Sequence, residues 1–271
     1  MNDQNLDYLK RQIKFTGFGE AHEKELKLQL LSGLSDFVLQ HNQAFGKDDT
    51  KTTLYFRKAA AVDLYFFNRF ELEVNFCNQT SPLKQTFYIS AQADHITLKE
   101  GYNLLSGRAV QKEHRPRVGE VYKVWLQLDF NEKDDKGQYK FKLFHPNYGF
   151  DLEAVLQKHP IQEMKTVEGN LRLMESLARG NQQLVTYGEP GREQKVFVEA
   201  SPRFKSVQFL DISLRRLGAG FLDPSTASEP VLPFSLEGRE NPIIPLKKKS
   251  PEMYSIIKEE PSAQEQNRKM G

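Results

Sequence analysis

The sequence predicts an α+β fold: antiparallel sheets with helices packed on one face, as two similar-sized units or one continuous sheet, followed by a disordered C-terminal tail. Three observations predict it. Apolar residues recur at helical spacing over the first 33 residues. From residue 36 the period changes to two. After about residue 218 the apolar content collapses, and seven of the 13 prolines fall in 218–271. The expected division is therefore 1–95, 96–217 and a Pro-rich tail, 218–271.

The first helix rests on Leu6, Leu9 and Ile13, with Asp3 or Asn5 as its cap. "GFG" at 17–19 breaks it. A second helix shows an apolar face of Leu26, Leu30 and Leu31, and Gly33 can stop it. Four strands follow in "DFVLQHNQAF", "TTLYFRK", "VDLYFFNRFELEVNF" and "KQTFYIS". In the third, Val62, Leu64, Phe66, Phe70, Leu72, Val74 and Phe76 are expected on one face, with Asn68 interrupting that face as a bulge or bend.

The second unit opens on a capping box, Thr97 with Glu100, ahead of Leu98, Leu104 and Leu105. "GEVYKVWLQLDF" alternates Tyr122, Val124, Leu126, Leu128 and Phe130 against Lys123, Trp125, Gln127 and Asp129. A polar loop leads to the returning strand "QYKFKLF". Asp151 and Thr166 are candidate caps of two further helices, and "QQLVTYG", "QKVFVEAS" and "KSVQFLD" are short strands. In the tail, "SPEMYSIIKEE" has the pattern of one short helix.

Composition excludes more than it selects. The chain carries 38 Lys and Arg against 36 Asp and Glu, too balanced for a whole-protein nucleic-acid argument. A single cysteine, Cys77, rules out an internal disulfide. With no 18-residue apolar run and a polar "MNDQNLDYLK" start, a cytoplasmic protein without membrane contact is expected. None of the six histidines forms an H-x-x-x-H pair, and no G-x-S-x-G or Walker spacing occurs. No cofactor, metal or catalytic residue is expected.

Two candidate sites stand out. Arg108, Lys112, Arg115, Arg117 and Lys123 surround Trp125 on the polar face of its strand. Cations beside an exposed aromatic can neutralise phosphates and stack bases. "RFKSVQFLDISLRR" adds Arg203, Lys205, Arg215 and Arg216. The second candidate is "FHPNYGFD" at 144–151. Pro146, Gly149, an Asp151 cap and a Phe150–Val155 staple explain most of it as a strand-to-helix corner. His145, Asn147 and Tyr148 are left for a pocket.

Several segments resemble uncharacterised proteins encoded on Bacteroidetes conjugative transposons and related mobile elements. They are "KEGYNLLSGRAV", "VWLQLDFNEKDDKGQYKFKLFHPNYGFDLE", "KVFVEASPRFKSVQF", "NLDYLKRQIKFTGFGE" and "DLYFFNRFELE". The resemblance spans most of residues 1–215. It implies a bacterial cytoplasm and a mobile-element setting, and it transfers no site. The expected function is a non-enzymatic interaction or accessory protein whose partner is another protein. An accessory DNA- or RNA-binding protein is the alternative, and an enzyme of unfamiliar type ranks last.

Overall fold

The computed structural model describes residues 2–90, 95–116 and 119–218. Arg117 and the tail from residue 219 onward lie outside them. Two helices, α1 (Asp3–Ile13) and α2 (Glu23–Ser32), precede a four-stranded antiparallel meander, β1 (Asp36–Phe45), β2 (Asp48–Lys58), β3 (Tyr65–Asn75) and β4 (Leu83–Tyr88). Helix α3 (Leu98–Leu105) leads into a second sheet, β5 (Val110–His114), β6 (Tyr122–Lys133) and β7 (Tyr139–Phe144). Helices α4 (Leu152–Leu156) and α5 (Val167–Ala178) then introduce a third, β8 (Gln183–Tyr187), β9 (Gln194–Ser201) and β10 (Ser206–Leu210). Among the described residues the strands thus form three sheets rather than one continuous sheet.

The α1 cap is Asn2, whose side chain accepts from the Asn5 amide, rather than Asp3 or Asn5. Asn5 is used elsewhere. Its buried carboxamide donates to the Tyr65 carbonyl and accepts from the Tyr65 amide at 2.9 and 2.8 Å, as a paired strand would. At "GFG" the helix widens and breaks, with Gly17 and Gly19 both at positive φ. Leu26 and Leu30 are buried on α2, but Leu31 faces out, and Gly33 ends the helix in the left-handed region.

In β3 the expected bulge is present. Tyr55 pairs with Arg69 and Phe56 with Phe67, so Asn68 is the extra residue. One added residue reverses the strand's alternation. Phe70, Leu72 and Val74 are buried after it, whereas Tyr65 and Phe67 are buried before it. Phe66 and Val62, expected inside, are therefore outside, at 44% and 51% exposure.

Two cores form. The first gathers α1, α2, β1–β4 and α3 around Phe18, Phe56, Phe70 and Leu104. The second gathers Trp125, Leu156, Leu173, Val198 and Phe209. Sheet β5–β7 serves both: Val110, Leu126, Leu128 and Phe141 face the first core, while Trp125 and Phe144 face the second. Helix α3, which begins the second segment in the sequence, packs into the first core.

The capping box on α3 is complete. The Thr97 hydroxyl accepts from the Glu100 amide, and the Glu100 carboxylate accepts from the Thr97 amide at 2.8 Å. One turn later Gly101 meets the sheet closely. A β-carbon there would stand 2.9 Å from Phe87 Cε2 and 3.1 Å from Leu72 Cδ2, both on buried side chains. Replacing glycine by alanine inside a helix gains roughly 1 kcal/mol. Overpacking a tight core costs about 1–3 kcal/mol. Gly101→Ala is therefore expected to lower the urea midpoint at unchanged m-value; a raised midpoint would show that the packing yields.

Candidate functional site: an aromatic and basic strip

The first candidate cluster does not assemble on the surface. Trp125 is 4% exposed and packs edge-on against Phe150, with ring centres 5.4 Å apart, so no base can stack on it. Its side of β6 is not a solvent face, because the second core covers it. Lys112 is enclosed and bonded at 2.7 Å to Glu100, the same carboxylate that closes the α3 capping box. Arg108 is half-buried, donating to the Asn103 carboxamide oxygen at 2.6 Å. Trp125 and Lys112 therefore belong to the interior framework rather than to a nucleic-acid surface, and Arg108 is braced against that framework by Asn103. Arg115 is exposed but pairs with Glu113 at 3.3 Å. Lys123 stands exposed on β6.

The corner at 145–151 is built as its residue types require. Pro146–Tyr148 form one 3-10 turn, Gly149 takes φ of 80°, and the Asp151 carboxylate accepts from the Ala154 amide at 3.1 Å. Phe150 points to Trp125. Tyr148 turns outward. Its hydroxyl donates to the Arg203 carbonyl at 2.9 Å, and its ring meets Phe144 edge-on.

That bond joins the corner to a second turn. Between β9 and β10, Pro202–Phe204 form another 3-10 turn, which Lys205 leaves at φ of 51°. Lys205 Nζ lies 4.7 Å from the Tyr148 ring centre. Phe204 is 71% exposed, with the Arg203 guanidinium 5.5 Å from its ring centre. On the other side of the corner, His145 contacts Tyr122, and Tyr122 contacts its cross-strand partner His114, at 5.5 and 5.1 Å between ring centres. Tyr148, Lys205 and Phe204 thus follow one another along a strip joining the two turns, while His114, Tyr122 and His145 form a separate aromatic row on the other side of the corner.

The strip's charge is available. Among the described residues Arg203, Lys205 and Lys123 form no ion pair, whereas nearby Lys142 is bonded to Asp129 at 2.6 Å. Burial would raise the Asp129 carboxyl, but hydrogen bonds from Lys142 and the Asn131 amide outweigh it and hold the pKa low. Asn147 is exposed beside Tyr148. His145 and Tyr148 lie in an open turn, so the arrangement offers ring faces and cations rather than a general base beside a nucleophile. Among the described residues no cluster of His, Cys, Asp and Glu is suited to hold a metal.

Phe204 was not a sequence candidate. An aromatic between two cations directly after proline, "PRFK", is the pattern of a presented turn, and it was readable.

A cleft of about 540 Å³ between α1 and α2 is a separate feature. Its charges are already matched: Lys10 with Glu23 at 2.6 Å and Lys14 with Glu20 at 2.7 Å. At its base the buried His22 shares a hydrogen bond with His41, Nε2 to Nδ1, at 3.0 Å.

No family model, no curated protein and no solved structure matches the chain.

Two histidines set an acid limit. Burial, and then the neighbouring His41 charge, push His22 below its usual pKa, with Glu25 opposing. Burial, and then Lys158, do the same to His159. Each binds its proton more readily in the unfolded chain, so stability is full above the unfolded value of about 6.5 and falls as the pH drops below it, by up to roughly 1.4 kcal/mol per pH unit per histidine. Chemical denaturation at pH 7.5 and 5.5 is expected to give the lower midpoint at pH 5.5. His22→Asn with His159→Asn should flatten that difference; an unchanged slope would assign it to other groups.

Proposed function

We propose that this is a non-enzymatic accessory protein that binds single-stranded nucleic acid along the strip from Tyr148 to Phe204. One observation carries the reading: Phe204 and Tyr148 expose ring faces at adjoining turns, each with a cation against it and no carboxylate pairing that cation among the described residues. Unstacked bases bind such faces, at about 1–3 kcal/mol per base, and cations along the track neutralise phosphates. A duplex hides its base faces, so single strands are the preferred form. The setting within a bacterial mobile element belongs to the same proposal and rests on the segment resemblance alone.

A second reading, a protein partner, is favoured by the outer side of α2. Lys24, Leu28 and Leu31 lie at helical spacing on one exposed face, with Lys27 and Leu34 beside them. The complementary partner is an amphipathic segment with an apolar row and an acidic margin.

Gel shift with single- and double-stranded DNA and RNA at low salt separates the readings. Single strands are expected to be retarded, most strongly at low salt. Phe204→Ala should weaken binding roughly tenfold, as loss of one stacked base requires. Lys205→Ala should flatten the logarithmic salt slope by about 0.7. Tyr148→Phe, which keeps the ring, should change little. Unchanged mobility with every probe would overturn the nucleic-acid reading.

A further inference from the structure

A second set of cations lies apart from the strip's residues, where the β1–β2 turn meets α3. Tyr102 stacks on Phe45 with ring centres 4.5 Å apart, and Phe76 closes in at 6.2 Å. The Tyr102 hydroxyl donates to Asp48 Oδ2 at 2.8 Å, while Asp48 Oδ1 accepts from the Cys77 amide at 2.9 Å. The ring is thus fixed at both its face and its hydroxyl. Lys99 Nζ lies 4.5 Å from the centres of both Phe45 and Tyr102, and the Arg108 guanidinium lies 5.3 Å from Tyr102.

Both cations lack an ion-pair partner among the described residues. Arg108 Nη2 serves Asn103 and Ser106, but its enclosed Nε meets no hydrogen-bond acceptor. Two carboxylates act on Arg108 from further away. Asp48 is committed to Tyr102 and Cys77, and Glu199 accepts from Gln182 at 3.0 Å. Two like charges thus lie against one ring, Lys99 exposed and Arg108 half-buried. Elsewhere on this protein, lysines at comparable positions have found carboxylates, as Lys84 with Glu71 and Lys112 with Glu100.

We infer that Lys99 and Arg108, held on the Tyr102 ring, form a binding site for a phosphate monoester dianion. The charge matches in sign: neither cation has an ion-pair partner among the described residues, and the Lys99 ammonium and the Arg108 Nη1 group, a part of the guanidinium not engaged by Asn103 or Ser106, are donors suited to phosphate oxygens. The ammonium is reachable, since Lys99 is exposed on α3 while Tyr102 beneath it is buried. Desolvation, and then the Arg108 charge, hold the Lys99 pKa down to about 8, although the ring faces themselves favour the cation. An anion placed between the two would remove the repulsion and restore the ammonium. The site does not rest on nucleic-acid binding by the strip.

Lysine-directed ¹³C-methylation of the full chain, followed by NMR titration, reads this directly, with Lys99→Arg identifying the Lys99 signal. Without phosphate the signal is expected to titrate near 8. Inorganic phosphate should raise that midpoint by about one unit or more, the usual effect of an opposite charge within 4–6 Å. Chloride at matched ionic strength should not. Arg108→Gln should raise the midpoint of the free protein and abolish the phosphate response. A wild-type midpoint unmoved by saturating phosphate overturns the site, whatever the variant does. An equal response to dimethyl phosphate also overturns the monoester assignment, since a diester is only a monoanion.

Discussion

A buried carboxamide ties α3, in the first core, to the end of α5, in the second. Asn103, fully enclosed on α3, donates to the Arg179 carbonyl at 2.7 Å and to Asn181 Oδ1 at 2.9 Å, while its own oxygen accepts from Arg108. Every hydrogen of its amide group is used, in a place where an unmet donor or acceptor costs about 1–3 kcal/mol. The bond brings the end of α5 onto α3, and Gly180 makes the approach possible. A β-carbon at Gly180 would lie 2.7 Å from the Ala109 carbonyl. Two other buried amides repeat the device. Gln85 pairs with both backbone groups of Tyr139, joining β4 to β7, and Asn5 does the same for Tyr65. Side-chain amides thus supply ladder contacts where the backbone strands themselves end.

Joining two cores through one thin sheet decides where function can reside. Sheet β5–β7 has no broad solvent face along its middle, so Trp125 and Leu128 are both interior. Chemistry is displaced to the sheet ends and turns. The strip from Tyr148 to Phe204 runs across two 3-10 turns. Turn backbones there are held by Tyr148 and Arg203, which makes an open surface rigid without a cavity.

Much of the fold was legible because local rules were sufficient. Thr97 with Glu100, Asp151, Thr166, Gly33 and Gly149 act where the sequence placed them. Asn68 was legible as an interruption, but its effect on phase was not, because a bulge reverses only the residues on one side of it. Trp125 was misread for a non-local reason. Alternation identifies two faces of a strand but cannot say that each meets a different core. Lys112 and Arg108 look like surface cations until their partners, Glu100 and Asn103, are brought round by the α3–β5 connection. Of the site, Tyr148 and His145 were legible as residues without a structural duty. That Phe204 and Lys205 stand beside Tyr148 was not, since some 55 residues separate Tyr148 from the Arg203 carbonyl it binds.

The shared sheet also bears on where such a chain can be divided. Residues 2–95 taken alone would uncover Leu72 and Phe87 where α3 now sits, and 96–218 alone would lose the floor beneath Leu98, Leu104 and Val110. The second core lies wholly within 96–218, whereas the first draws on both segments. Division ahead of α3 would therefore cut through the first core, and the chain from Met1 to Ser225 is one compact unit rather than two modules.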